Sequence, residues 1–143
     1  MIDPTTDTRE PIAPTAVLIA QRDRLRALPR HFGAHSMLRV ESAVYLSMRE
    51  IAPEYTGGYW HYYDLSNGGF YMAPDAATPF AVSVHGNYFS GSLSADAVGI
   101  VASLFGINRV ANLGCEKCIE HYYLLRDYAA AHAENGDIFR AID

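Results

Sequence analysis

Lysine is nearly missing from this chain of 143 residues. Lys117 is the single one, and ten arginines supply the remaining basic charge against sixteen acidic residues, for a formal charge of −5. A surface that grips nucleic acid through its phosphates needs many more cations. A protein that imitates DNA needs many more anions, because a duplex carries one charge per ~1.7 Å of axis. Cysteine is almost as scarce. Cys115 and Cys118 stand close together, with no second pair to build a disulfide framework or complete a zinc site. Long apolar runs are absent too. Val17–Ala20 is too short for the core of a secretory leader, and no stretch approaches the ~20 apolar residues of a membrane span. No Gly-x-Ser-x-Gly, phosphate-binding loop or His-Glu-x-x-His occurs. These absences set the expectation of a soluble, cytoplasmic protein without membrane contact, cofactor or metal.

What remains suits one folded domain. Half of the residues are hydrophobic and 12% are aromatic, enough for a core. The charge is uneven. Residues 1–51 hold seven arginines against six acids, while residues 52–143 hold four basic groups against ten acids. Residues 1–16, with Pro4, Pro11 and Pro14, read as a flexible N-terminal arm, and residues 17–143 as the single domain. Residues 17–35 fit two patterns. Val17–Ala20 followed by Arg22, Arg24 and Arg26 at alternate positions suits a strand; Leu18, Arg22, Leu25, Arg26 and Leu28 suit a helix. Leu28–Gly33 then breaks the pattern.

The spacing of Met37, Val40, Val44, Met48 and Ile51 predicts a helix over 37–52, capped by Ser36 and stopped by Pro53. The run Glu54–Pro74 is dense in tyrosine and carries Trp60, four glycines and Asn67-Gly68. It reads as a hairpin with a two-residue turn. That register pairs Leu65 with Phe70, Asp64 with Tyr71 and Tyr63 with Met72. Leu65, Phe70, Tyr63 and Met72 form its core face; Trp60, Tyr62, Asp64 and Tyr71 form its outer face. Gly86-Asn87 turns a second hairpin, with Val84 opposite Phe89, Ser83 opposite Ser90 and Val82 facing Gly91. Ser94 caps a nearly uncharged helix over 95–110, and a last long helix runs over 115–132 with the stripe Cys118, Tyr122, Leu125 and Ala129, broadened by Ile119. The expected fold is α+β: a four-stranded, meander-like antiparallel sheet with about three helices on one face.

Several constellations invite chemistry. Cys115, Cys118 and His121 follow metal-like spacing, but on one helix they fan around its surface, and core packing explains Cys118 better. His31 and His35, split by Gly33, read as capping or surface residues. Glu54 and Asp64 could be the paired acids of a hydrolase; a hydrogen bond from a tyrosine is the plainer use of Asp64. Trp60, Tyr62 and Tyr71 could anchor a protein partner, unless residues 1–35 fold across their face and bury it. Arg22, Arg24, Arg26 and Arg30 form the only local basic patch, suited to phosphate or to an acidic partner.

The words LPRHFG at 28–33, the hairpin run at 54–74, GNYFSG at 86–91, SADAVGIV at 94–101 and LRDYA at 125–129 resemble those of the KlcA/ArdB antirestriction family, small proteins of plasmids and other mobile elements. The resemblance implies inhibition of type I restriction-modification systems, hence protection of incoming plasmid DNA. It also implies action unlike that of the strongly acidic DNA mimics, and no catalytic residues. The partner it implies is the type I complex, met directly or indirectly. Trp60, Tyr62, Asp64 and Tyr71 or the arginine series Arg22–Arg30 are the contact candidates. A weak nucleic-acid-binding accessory role is the alternative, although the charge makes stable DNA binding a poor expectation. The sequence carries no signal of oligomeric state.

Overall fold

The computed structural model describes residues 12–143. The strands are β1 (Ala16–Leu18), β2 (Trp60–Leu65), β3 (Phe70–Pro74), β4 (Phe80–Val84) and β5 (Phe89–Leu93). The helices are α1 (Arg24–Ile51), α2 (Ala95–Ala111), α3 (Glu116–Ala130) and α4 (Asn135–Ile142). The class is α+β, as the patterning implies, but the single four-stranded sheet is not formed. β1, β2 and β3 make one antiparallel sheet, and β4 and β5 make a separate hairpin.

The reason lies at the free edge of β3. Helix α2 occupies the place of a fourth strand. Ser103 Oγ accepts the Met72 N–H at 3.2 Å and donates to the Met72 C=O at 3.1 Å. The helix comes this close because Gly99 has no side chain; a Cβ there would fall 2.4 Å from the Ala73 Cβ. A hydroxyl thus satisfies the strand edge that β4 would otherwise have paired with.

The first hairpin is shifted by one residue from the expected register. Asp64 pairs with Phe70, Tyr63 with Tyr71 and Tyr62 with Met72. The loop is the three residues Ser66-Asn67-Gly68. Gly68 N–H donates to the Leu65 C=O and Leu65 N–H to the Gly69 C=O, each at 2.9 Å, with Gly68 at φ 94°. This is a type I turn closed by a left-handed glycine. A one-residue slip re-sorts the two faces of a hairpin. Trp60, Tyr62 and Asp64 therefore share a face with Phe70 and Met72, while Tyr63 and Leu65 share the other with Tyr71. The second hairpin keeps its expected pairs: Val84 opposite Phe89, Ser83 opposite Ser90 and Val82 opposite Gly91.

Helices cover both sheet faces, and all five residues of β3 are buried. On one side, α1 supplies Phe32, edge-on to Phe70 at 5.7 Å, and Tyr45, edge-on to Trp60 at 5.1 Å. On the other, α3 supplies Tyr128, stacked on Tyr71 at 5.5 Å. Helix α1 is interrupted at Gly33, which is not helical (φ 78°, ψ 158°) and separates two helical stretches, so the expected break stands at Gly33, while Leu28–Phe32 is helical and Ser36 lies inside the second stretch and caps nothing. Its end is as expected: Ala52 caps it and Pro53 follows. In α2, Ser94 Oγ accepts the Ala97 N–H at 3.1 Å, and the helix is buried nearly all round. In α3, Cys118, Leu125 and Ala129 are buried, but His121 completes the stripe and Ile119 is exposed. Helix α3 ends at Ala130, close to the expected end at 132, and a further helix, α4, follows from Asn135. The expected arm falls mostly on residues 1–11, outside the described residues. Thr15 N–H donates to Ser66 Oγ at 2.8 Å, and Ala16 belongs to β1.

Candidate functional site

Two features build a groove beside β1. Strand β1 runs antiparallel to β2 and sets Val17 opposite Asp64. The turn Gln21–Asp23 then reverses the chain into the first part of α1. Arg26 and Arg30 are four apart on that helix and so share a face. The groove has a volume of about 520 Å³ and is lined by Val17–Ala20, Asp23, Arg26, Arg30 and Asp64. Arg22, at its mouth, is 87% exposed and lies 3.8 Å from Asp23.

Asp64 is the groove's fixed anion. Arg30 Nη2 donates to its two carboxylate oxygens at 3.2 and 3.1 Å, and His31 Nε2 donates at 2.6 Å. Burial alone would raise its pKa; the hydrogen bonds from His31 and Arg30 outweigh that and hold it below the usual carboxylate range. His31 goes down as well, because burial of its ring exceeds the pull of Asp64, and the Arg30 charge adds to the burial. Both shifts describe a neutral imidazole donating to a carboxylate. Behind it, His121 Nε2 lies 3.0 Å from the His31 carbonyl and donates to it, while His121 Nδ1 is buried without a partner among the described residues. Burial, then the neighbouring His31, push His121 down to about 4.

Of the sequence-derived contact residues, the groove joins Arg26, Arg30 and Asp64, with Arg22 at its edge. Arg24 points elsewhere. Its guanidinium lies over the Tyr62 and Tyr59 rings at 4.1 and 4.7 Å and donates to the Trp60 carbonyl. The alternate arginine spacing is thus divided by helix geometry, not by the two faces of a strand.

The outer aromatic face does not exist as a free surface. Trp60, Tyr62 and Tyr71 are 2%, 5% and 1% exposed. The register slip and the helices over both faces bury them, and the part of residues 1–35 that begins α1 helps to do so. Each polar tip is satisfied internally. Trp60 Nε1 donates to Tyr55 Oη at 2.8 Å, Tyr62 Oη to Glu41 at 2.7 Å and Tyr71 Oη to Asp96 at 2.7 Å. Asp64 consequently takes no tyrosine hydroxyl. Glu54 is not beside it either; it accepts the Ala81 N–H at 3.2 Å. His31 is interior and not a surface or capping residue, while His35 is exposed. Cys118 packs in the core, and Cys115 caps α3 by accepting the Cys118 N–H.

Sequence reasoning passed over a second polar centre. Asp96 accepts Tyr71 Oη and is 2.8 Å from His132 Nε2, with Tyr63 stacked on Tyr71 at 4.7 Å. The hydrogen bond from His132 and that from Tyr71 hold Asp96 low against the burial that would raise it. Asp96 stands in the first turn of α2, where the helix dipole alone accounts for an acidic residue, so its position in the sequence gives no sign of these partners.

Comparison with known proteins places this architecture. The family model for antirestriction proteins matches residues 53–143. An antirestriction protein KlcA of Escherichia coli is 47% identical over 134 residues, covering 90% of this chain and 94% of its own. A second KlcA of Escherichia coli is 44% identical, covering 96% and 99%. A putative antirestriction protein, YubI, of Escherichia coli K12 is 34% identical, covering 91% and 96%. A solved structure superposes with a TM-score of 0.88 at 46% identity, covering 96% of this chain and 100% of that one. It comes from work on the KlcA and ArdB proteins, which are stated to show a novel fold and antirestriction activity against type I DNA restriction systems in vivo but not in vitro.

Proposed function

The chain belongs to the antirestriction protein family, and from that premise we propose that it lowers the cutting of incoming plasmid DNA by type I restriction systems inside the cell. The observation that carries this reading is the 46% identity to the solved relative across 96% of the chain. The relative's activity in vivo but not in vitro favours a route through a cellular component beyond the purified restriction enzyme. Contact with a protein, in the cytoplasm, is the mode we assign. A charge of −5 over 143 residues is far below what imitation of a duplex needs. The exposed groove is basic at its rim, the reverse of a DNA mimic. No bond-making is assigned to the site: Asp64 is held ionised by Arg30 and His31, and Glu54 serves a backbone N–H.

Arg22, Arg26 and Arg30, with Asp64, are the contact residues this reading uses. A binding inhibitor acts by favouring one state of its target, and its effect is bounded by its differential affinity. Plating of unmodified phage on cells that carry a type I system tests the activity. Expression of this protein should raise plating efficiency, and unchanged efficiency removes the proposal. Arg26→Glu with Arg30→Glu should abolish the relief while the protein stays folded.

Weak nucleic-acid binding is the second reading, favoured by the exposed Arg22, Arg26 and Arg30. Against it, Asp23 and Asp64 sit in the same groove and repel phosphate. Affinity that falls steeply with salt would be its mark.

A further inference from the structure

Among the described residues, the outer edge of β1 pairs with no other strand. Ile19 N–H donates to the Tyr62 carbonyl and Ser66 N–H to the Thr15 carbonyl, each at 2.8 Å. In an antiparallel ladder the backbone groups alternate in direction. Residues 15, 17 and 19 therefore turn toward β2, and the N–H and C=O of Ala16 and Leu18 turn away from it. Those outward groups bond to no described residue. Val17 and Leu18 are also 64% and 54% exposed, which is unusual for a branched apolar pair in a sheet. At the opposite edge of the sheet, Ser103 closes β3; β1 has no such stop among the described residues.

We propose that the β1 edge takes up an extended, acidic segment of a partner protein as an added strand. The inference deepens the contact reading of the groove given above. Strand addition satisfies the outward N–H and C=O groups together. The side chains of the guest then sort with period two. One set lies on the Val17 side, toward Arg26 and Arg30, and calls for Asp or Glu. The alternate set lies on the Leu18 side, beside Tyr63, and calls for apolar residues. Arg26 makes no ion pair with a described residue, and Arg22 is bound only loosely, so positive charge is left over once Arg30 has served Asp64. A nucleic-acid backbone fits less well. It offers phosphate acceptors and no donors for the outward carbonyls.

The test is a titration of the purified full chain, uniformly ¹⁵N-labelled, with the capped peptide Thr-Glu-Val-Glu-Val-Glu-Thr. Saturable shifts should centre on the amides of Ala16 and Leu18. The same peptide with Lys for Glu should not bind. Leu18→Pro removes one outward N–H and leaves the ladder bonds to β2 intact, so it should abolish binding. Arg26→Glu should weaken it about tenfold, which keeps the question open to decision should the proline variant fold poorly. The proposal is overturned by equal binding of the Lys peptide, by unchanged affinity in both variants, or by no shift at residues 16–18. A 12-base-pair DNA that shifts the same amides more strongly assigns the edge to nucleic acid instead. A dimer in sedimentation that is lost in Leu18→Pro assigns it to a second copy. Phage plating reads the antirestriction role separately, so either result can fail without the other.

Discussion

Two histidine–aspartate pairs of nearly equal length, His31–Asp64 at 2.6 Å and His132–Asp96 at 2.8 Å, titrate in opposite directions. His31 is lowered, chiefly by burial, with Arg30 adding to it. His132 is raised: its hydrogen bond to Asp96 exceeds the burial of the ring, and Glu134 adds to the attraction. The difference lies first in burial, which is the leading influence on His31 and only the second on His132. Charge adds to it. Asp64 shares its charge with Arg30, whereas Asp96 has only a neutral phenol, Tyr71, as its other donor, so its charge remains for His132. A histidine–aspartate pair is thus pulled down or up according to whether burial or the carboxylate wins.

The sign for stability follows. His31 and His121 bind protons less readily when folded. Their stabilising contribution is complete above their unfolded value near 6.5 and is lost as pH falls toward the folded values. His132 does the reverse: its contribution is complete below that value and is lost as pH rises through its folded pKa.

The largest test of the contrast is Asp96→Ala. It strands the buried Tyr71 hydroxyl and takes a partner from the His132 ring; with the Asp96 side chain itself 39% exposed, the loss should be about 2 kcal/mol by urea unfolding. A loss below about 0.5 kcal/mol would mean that water fully replaces the carboxylate. His121→Leu comes next. With a folded value of about 4, this residue should cost the native state up to roughly 3 kcal/mol in acid. Its removal should move the acid-unfolding midpoint, followed by circular dichroism, down by about one pH unit; an unmoved midpoint would show that another group sets it. Asp64→Asn should cost only about 1 kcal/mol, because the carboxylate is 36% exposed and water can replace part of its role. Its sharper readout is NMR titration of the rings. His31 should fall further and His132 stay where it is, whereas Asp96→Asn should lower His132 alone. Equal movement of both rings in either variant would dissolve the distinction.

What could be read from the sequence was local. The Ser94 cap, the Pro53 stop, the charge-free middle of α2 and the register of the second hairpin all depend on neighbours within a few positions. The first hairpin defeated that logic because Gly68 and Gly69 both permit a tight turn, and aromatics stand on both strand faces, so neither face is marked as wet. Helix α2 at the β3 edge is not visible in the sequence, because a glycine inside a helical pattern does not say which neighbour comes close to it. The basic patch was visible as a cluster of arginines. Its division between the groove (Arg22, Arg26, Arg30) and the Tyr59–Tyr62 side (Arg24) required knowing that the segment is helical. His31 meets Asp64 only after β1, α1 and β2 have assembled, and no spacing rule reaches across that gap. His121 sits three residues from Cys118 and four from Leu125, so its spacing puts it on the buried stripe, but a histidine does not mark such a stripe as an apolar residue does.

Ser103 has one more effect. A hydroxyl that both takes and gives a bond to Met72 occupies the centre of that margin and sets a helix across it. Growth into a filament through this sheet needs two open margins on every subunit, so that each newcomer presents a fresh one. Here a newcomer at the opposite margin finds α2 in the way. The chain can therefore carry an apolar rim at Val17 and Leu18, uncovered by any described residue, without this sheet being a seed for open-ended stacking of its own copies.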